Sequence, residues 1–262
     1  MRLGLTGWIP ASRRLGMVFR MSLPKQTSSV RQAVILAGGQ ATRLRPYTDT
    51  RPKAMIEVAG RPIIDYQLDW LAASGVRNVV VSCGYLADVL KEHLLDGSRT
   101  DLDIALVVED EPLGRGGALK FAAAHLPAPE ERWLAFNGDV LTRFSLADFC
   151  DRHERASVTA TVALTQYRIP YGLAELDGQG LIRGFRETPL SPYWINAGGY
   201  CFEPSVVSAL PDKGDHELTT FPELAEQGKL GSFLIEGYWR GVDTAKDLKQ
   251  ASAEVTQLGW TA

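Results

Sequence analysis

Hydrophobic residues recur along this chain at two spacings, and after Val30 the two alternate. Short unbroken apolar runs predict buried strands at residues 33–37, 78–83, 104–109 and 133–137. Between them, apolar positions three and four apart predict helices. One begins at Pro62, with Ile64, Leu68 and Leu71 on a shared face and Gly75 as its stop; others cover 87–95 and 116–125. Strands separated by helices of this length make a mainly parallel sheet, because a parallel pair needs a long crossover and a helix is the usual one.

After Asn137-Gly138-Asp139 the rhythm changes. A helix at 146–155 leads into strand-rich sequence at 158–164, 173–176, 182–186 and 194–202. Helical spacing returns at 221–227 and at 245–258, where Leu248, Ala251, Val255 and Leu258 share a stripe. The expectation is an α/β fold: a Rossmann-like, mainly parallel but mixed sheet flanked by helices, with a smaller strand-rich part. Residues 30–262 read as a single domain in two halves, 30–140 and 141–262, without a linker or an internal repeat.

Composition narrows the function. The 262 residues are 45% hydrophobic and 23% charged, enough for one sizeable core. A formal net charge of -3 leaves no broad basic surface, so no nucleic-acid partner is expected. No apolar run approaches the ~18 residues that span a bilayer, so no membrane partner is expected either. Cys83, Cys150 and Cys201 are widely spaced and odd in number, with no C-x-x-C pair. They are expected as reduced core residues of a cytoplasmic protein. Residues 1–29 stand apart. Arg2, Arg13, Arg14, Arg20 and Lys25 face no acidic residue before the first strand, and the compact apolar centre of a signal peptide is missing. The expectation is a flexible basic extension, or a start placed too early, with Met21 or a neighbour beginning the functional protein.

The chemistry concentrates between Ala33 and Met55. Gly38 and Gly39 follow the first strand, and a turn without side chains lets backbone N–H groups approach an anion closely. Arg43, Arg45 and Lys53 supply cations downstream, so the expected ligand is a polyphosphate. Joining two phosphate-bearing molecules brings unit anions to ~4 Å, a repulsion of about 4 kcal/mol at an effective dielectric near ~20. Asp139 stands at the carboxyl end of a predicted parallel strand, where such sheets present functional side chains. A carboxylate beside phosphates is tolerated when a divalent ion lies between them, and Mg²⁺ suits one or two carboxylates plus phosphate oxygens. Two other phosphate templates drop out. G-x-G-x-x-G is broken by Gln40-Ala41-Thr42-Arg43, and G-x-x-x-x-G-K-[ST] has no match before Lys53.

Gly38-Gly39-Gln40-Ala41-Thr42-Arg43-Leu44-Arg45-Pro46-Tyr47-Thr48, with Pro52-Lys53-Ala54, resembles the G-G-x-G-T-R-L-x-P-L-T and P-K-P signature of the sugar-phosphate nucleotidylyltransferases, or nucleotide-sugar pyrophosphorylases. The likeness runs from about Val34 to Val255. It implies a fold of the nucleotide-diphospho-sugar transferase type, with 30–140 binding nucleotide and 141–262 binding sugar phosphate. Asn137-Gly138-Asp139 resembles the family's N-G-D, whose aspartate binds Mg²⁺. Trp239-Arg240-Gly241-Val242-Asp243-Thr244 resembles its late W-x-D-x-G/T segment, making Asp243 the second metal carboxylate. The resemblance implies catalytic roles for Arg43, Lys53 and Asp139, and nucleotide contacts at Leu36, Ala37, Gly38, Gly39, Glu109, Gly114 and Gly138. Tyr171-Gly172, Glu187 and Asn196-Ala197-Gly198 fall where the family meets its sugar phosphate, through Gly172, Glu187 and Asn196.

The segment from Glu109 to Gly117 resembles the family's base-reading loop, in which a glutamine commonly meets a pyrimidine. The carboxylate of Glu109 only accepts hydrogen bonds, which suits the adjacent N1–H and N2–H donors of guanine. The implied reaction is therefore Mg²⁺-dependent transfer of a nucleoside monophosphate from an NTP, GTP first, to a sugar 1-phosphate, mannose 1-phosphate first, with release of pyrophosphate. UTP or dTTP with glucose, heptose or N-acetylmuramic acid 1-phosphate is the alternative substrate set. A nucleotide-sugar glycosyltransferase and a non-catalytic regulatory paralogue are the rival classes. Quaternary state is open, a homo-oligomer included. No hexapeptide repeat follows Leu258, so a single activity is expected.

Three positions depart from the pattern. Ala41 replaces the third glycine, Arg115 replaces a small residue, and Thr188 stands where the family's F-x-E-K-P offers its lysine, with Arg183 or Arg186 expected to reach across instead. Tyr171, Trp194 and Trp239 are expected to pack. His93, His125, His153 and His216 occupy no motif position.

Overall fold

A computed structural model describes residues 28–96 and 101–260. Up to residue 27, the basic extension expected from the sequence lies outside the described residues. The first half contains β1 (Gln32–Leu36), β2 (Glu57–Val58), β3 (Arg61–Pro62), α1 (Ile63–Ala73), β4 (Asn78–Cys83), α2 (Ala87–Leu94), β5 (Asp103–Val108), α3 (Gly114–Ala123) and β6 (Trp133–Asn137). The second contains β7 (Val140–Arg143), α4 (Leu146–Ala156), β8 (Ala160–Thr165), β9 (Leu173–Leu176), β10 (Ile182–Arg186), β11 (Ile195–Phe202), α5 (Thr220–Glu226), β12 (Leu230–Leu234), β13 (Tyr238–Gly241) and α6 (Ala245–Gln257).

Seven strands form the central sheet in the order β12-β8-β11-β6-β1-β4-β5. β1 pairs in parallel with β4 and β6, and β5 adds in parallel to β4. β11 runs antiparallel to both β6 and β8, so the sheet is mixed and draws strands from both halves of the chain. β1 leads to β4 on one side, whereas the chain beyond β6 builds the other side. The carboxyl ends of β1 and β6 therefore flank a topological switch point, the place where open α/β sheets leave a crevice.

β1 is apolar on both faces because both are covered. Val34 packs with Leu119 of α3, while Ala33 and Ile35 pack with Ile64, Leu68 and Trp70 of α1. Trp70 is the keystone of the second layer. Its ring meets Phe136 and Phe144 edge-on at 5.1 and 5.0 Å, and its Nε1 donates to the Phe144 carbonyl at 3.1 Å. Gly75, at φ 97, stops α1 in a backbone region that costs glycine little.

Two short ladders stand apart from the central sheet; β9 and β10 match the strands expected at 173–176 and 182–186, whereas β7 and β13 were not expected. β7 pairs antiparallel with β13, and β9 with β10, each as a separate two-stranded sheet. β7 and β13 are four residues each, too short for a period to show. Strand β12, at the sheet edge, is likewise absent from the sequence expectation.

Candidate active site at the switch point

The loop after β1 and the turn after β6 meet over the crevice. Gly138 is required by that approach: a Cβ there would stand 2.7 Å from the Leu36 carbonyl oxygen, and the Gly138 N–H donates to that same oxygen at 2.8 Å. Gly39 faces open space, with nothing within 4 Å of a Cβ built on it. The left-handed residue of the loop is Ala41, at φ 46 and ψ 49, the position where the family signature has glycine. Beyond it, Thr42–Leu44 and Lys53–Met55 form single 3-10 turns that aim Arg43 and Lys53 back toward the sheet.

These turns bring four of the sequence-predicted residues into one cluster. Lys53 Nζ donates to Asp139 Oδ2 at 2.7 Å and to Asp243 Oδ1 at 2.8 Å, and Arg43 NH2 donates to the same Asp243 oxygen at 3.2 Å. Lys53 is 13% exposed, so its charge is partly shielded from water, while Arg43 at 74% projects into solvent. Burial alone would raise the Asp243 pKa, but the Lys53 hydrogen bond and the charges of Lys53 and Arg43 outweigh it and hold the carboxyl below its ordinary value.

Asp243 reaches Asp139 because β13 lies against β7. Gly241 pairs with Val140, and the Val242 N–H donates to the Asp139 carbonyl at 3.0 Å. A capping box follows at once: the Thr244 hydroxyl accepts from Asp247 N, and Asp247 Oδ2 accepts from Thr244 N at 2.9 Å and from Asp243 N at 3.2 Å. Asp243 is thus clamped between a ladder and a helix start. On the other side, buried Gln67 of α1 donates to the carbonyls of Asn137 and Val140, both at 2.8 Å, and fixes the turn that carries Asp139. Sequence reasoning passed over Gln67, although a polar side chain one position before Leu68 on an apolar helix face was the signal to notice.

A cavity of about 640 Å³ opens at this crevice. Leu36, Ala37, Gly38, Gly39, Lys53, Glu109, Gly114, Gly138 and Asp139 all line it, together with Asn137, Tyr85 and Arg115. Glu109 is held at its edge, accepting from Ser82 Oγ and from the Leu113 N–H, both at 3.1 Å. Each of its oxygens retains acceptor capacity after these bonds.

The remaining three predicted residues lie elsewhere. Gly172 and Glu187 meet each other at the β9–β10 ribbon: a Cβ on Gly172 would be 3.1 Å from Glu187 Oε1. Asn196 does not line the cavity but is linked to it. Its Nδ2 donates to Glu217 Oε1 at 2.7 Å, and Glu217 Oε2 accepts from Arg115 NH2 at 2.7 Å. Asp215 also accepts from the Arg115 N–H at 3.0 Å, so Arg115 is drawn toward the sugar-side residues.

Three expectations outside the motifs can be checked. Cys83, Cys150 and Cys201 are free and buried, as expected. Trp239 is half-buried, with Nε1 donating to the Ala197 carbonyl at 2.8 Å. Tyr171 and Trp194 do not pack as expected: they are 73% and 45% exposed among the described residues. No helix among the described residues is long and apolar enough to cross a membrane.

A glycine-lined crevice at a Rossmann-like switch point, with a lysine between two carboxylates, is the arrangement of an enzyme that handles phosphate esters. Residues 32–258 match the family model described as Nucleotidyl transferase, and the chain belongs to that family. It is 36% identical over 223 residues to a mannose-1-phosphate guanyltransferase of Yarrowia lipolytica, covering 82% of this chain and 61% of that protein. It is 34% identical over 233 residues to a mannose-1-phosphate guanylyltransferase of Mycobacterium tuberculosis, covering 86% and 64%. The chain thus spans about three-fifths of the length of these curated relatives. Its fold is shared with the crystal structure of HddC from Yersinia pseudotuberculosis, at a TM-score of 0.67 and 24% identity over 86% of this chain and 99% of that one.

Proposed function

We propose that this chain is a sugar-1-phosphate nucleotidylyltransferase that uses GTP and mannose 1-phosphate. A phosphate oxygen of the sugar 1-phosphate attacks the α-phosphorus of the triphosphate, and the bond to the β-phosphate bridging oxygen breaks, releasing pyrophosphate. The observation that carries this reading is the convergence of Arg43, Lys53, Asp139 and Asp243 at the mouth of the crevice. The relatives named as mannose-1-phosphate guanylyltransferases support the choice of substrates.

No protein nucleophile or general base is needed, since the attacking phosphate is already ionised; the chain aligns its substrates and balances their charge. Backbone N–H groups of the Gly38-Gly39 turn receive the triphosphate. Arg43, exposed at the mouth of the crevice, stabilises the departing β,γ-phosphates, and Lys53 bridges the phosphates of both substrates. Glu109 accepts from the guanine N1–H and N2–H. Gly172, Glu187 and Asn196 hold the sugar phosphate. In this reading residues 30–262 are one domain, 30–140 serving the nucleotide and 141–262 the sugar phosphate.

The donor set at the cluster fits Mg²⁺. Asp139 and Asp243 offer hard oxygens, already turned toward one cationic atom, Lys53 Nζ, at 2.7 and 2.8 Å. Asp139 and Asp243 would hold the ion, with phosphate oxygens and water as its further ligands. When bound, Mg²⁺ supplies neutralising charge to the phosphates. Free buried thiols support a reducing, cytoplasmic setting.

The test is pyrophosphate release with GTP, UTP, dTTP, CTP and ATP, each crossed against mannose, glucose, heptose and N-acetylmuramic acid 1-phosphates. The GTP and mannose 1-phosphate pair should give the highest kcat/KM. No pyrophosphate from any pair would remove the reading.

A further inference from the structure

Between residues 160 and 203 the chain has three cationic side chains, Arg168, Arg183 and Arg186. The two singled out in the sequence are already committed. Arg183 Nε donates to Asp177 Oδ2 at 2.7 Å, and Arg186 NH2 donates to Glu175 Oε1 at 2.6 Å, so both are neutralised along the β9–β10 ribbon. Arg168 differs from both. Its exposed guanidinium donates from NH1 to the Thr188 carbonyl at 3.3 Å, and no carboxylate pairs with it among the described residues.

Backbone pairing holds that contact. Arg168 forms an antiparallel bridge with Leu190, the Ile169 N–H donates to the Pro189 carbonyl at 2.9 Å, and the Ser191 N–H donates to the Tyr167 carbonyl at 2.8 Å. The pairing places Arg168 beside the loop that carries Glu187, and Glu187 lies close to Gly172. Thr188 itself sits at φ 44, a left-handed conformation that turns its carbonyl to the arginine at some cost in strain.

A sugar 1-phosphate brings a near-dianion to a site where Glu187 is a carboxylate with no ion pair among the described residues and two of three arginines are spent. Lys53 meets that charge from the crevice side only, and on the ribbon side, without a free cation, the approach to Glu187 is repulsive by several times ~1 kcal/mol. A guanidinium with one donor occupied has four left, in a fork that matches phosphate geometry. We propose that Arg168 is the residue that recognises the sugar-borne phosphate, supplying the charge that Thr188 lacks. This rests on the nucleotidylyl-transfer reading above.

Two measurements on the full chain separate the inference from that reading. A ³¹P NMR titration with mannose 1-phosphate measures binding without turnover, and pyrophosphate release with GTP measures turnover. Removing a charge-assisted contact in Arg168→Ala should weaken mannose 1-phosphate binding and raise its KM by about tenfold or more, with the GTP KM unchanged. Arg168→Lys should recover most of the affinity, and Arg186→Ala should shift it by less than about threefold. Wild-type binding with unaltered affinity in Arg168→Ala would overturn the proposal, as would an equal loss in Arg186→Ala. Arg168-dependent binding without pyrophosphate release from any nucleotide would instead remove the reaction and leave Arg168 as a sugar-phosphate residue.

Discussion

The crevice and the β9–β10 ribbon are built in contrasting ways. Around the crevice, Gly138 and Asp139 hang from β6, whose neighbours β1 and β11 are themselves buried, and Gln67, β13 and the capping box of α6 lock the turn from outside. The ribbon has none of this. All four residues of β9 are exposed, β10 is half-buried only at Gly184, and the two strands pair solely with each other. An isolated hairpin of this kind is marginal in water, and surface ion pairs such as Arg186–Glu175 add about 0–1 kcal/mol each. In the proposed reading, the charges at the crevice are set before any substrate arrives, while the ribbon assigned to the sugar is held loosely enough to adapt to it.

The strongest way to break this contrast is at the charge cluster. Asp139→Asn should lower kcat by about a thousandfold, equivalent to about 4 kcal/mol of transition-state stabilisation, and leave the thermal midpoint nearly unchanged, because the side chain is half-exposed. Near-normal pyrophosphate release would contradict the assignment of Asp139.

A buried histidine beside the start of α3 offers the next largest effect. His216 is fully buried against Tyr200 and Phe221, and neither of its ring nitrogens has a hydrogen-bond partner among the described residues. Burial, with a smaller push from Arg115, lowers its pKa from 6.5 to about 4, Asp215 opposing. The folded chain therefore keeps His216 neutral where the unfolded chain protonates it. Its contribution to stability is complete above pH 6.5 and is lost as pH falls toward 4, about 3 kcal/mol in all. His216→Phe should flatten that part of a urea-denaturation profile across pH, while buried His153, whose pKa is also lowered, keeps a residual slope.

The same substitution in both regions sharpens the comparison. Gly138→Ala drives a Cβ to 2.7 Å from backbone and should cost about 2 kcal/mol in chemical denaturation. Gly178→Ala, between β9 and β10, meets nothing within 4 Å and should change stability by no more than about 0.5 kcal/mol. A matching loss at Gly178 would mean that the ribbon is as tightly packed as the crevice.

Strands of both regions were legible in the sequence: β9 and β10 run from Leu173 to Leu176 and from Ile182 to Arg186, the bounds expected. β4 and β6 run from Asn78 to Cys83 and from Trp133 to Asn137, the bounds that apolar runs predict, because strands buried on both faces keep their central residues apolar. Gln67 was not legible as a support, since a helix face does not say which carbonyls lie beneath it. The assignment of Arg183 or Arg186 to the sugar phosphate followed from sequence proximity to Thr188, and ion pairing within the ribbon made both poor candidates.

By itself, the sequence determined the residue types and the local turns: glycines where backbone approaches backbone, a lysine and arginine after them, and aspartates at the ends of apolar runs. Such features are local, set by sterics and by the period of side chains along a strand or helix. Only the tertiary structure decided that Asp243 and Asp139 share one lysine, because β13 must find β7 across the chain for that to happen, and four-residue strands carry no periodic signal of their partner. It also decided which arginine stays uncommitted, since an ion pair depends on distances in space that spacing along the chain does not encode.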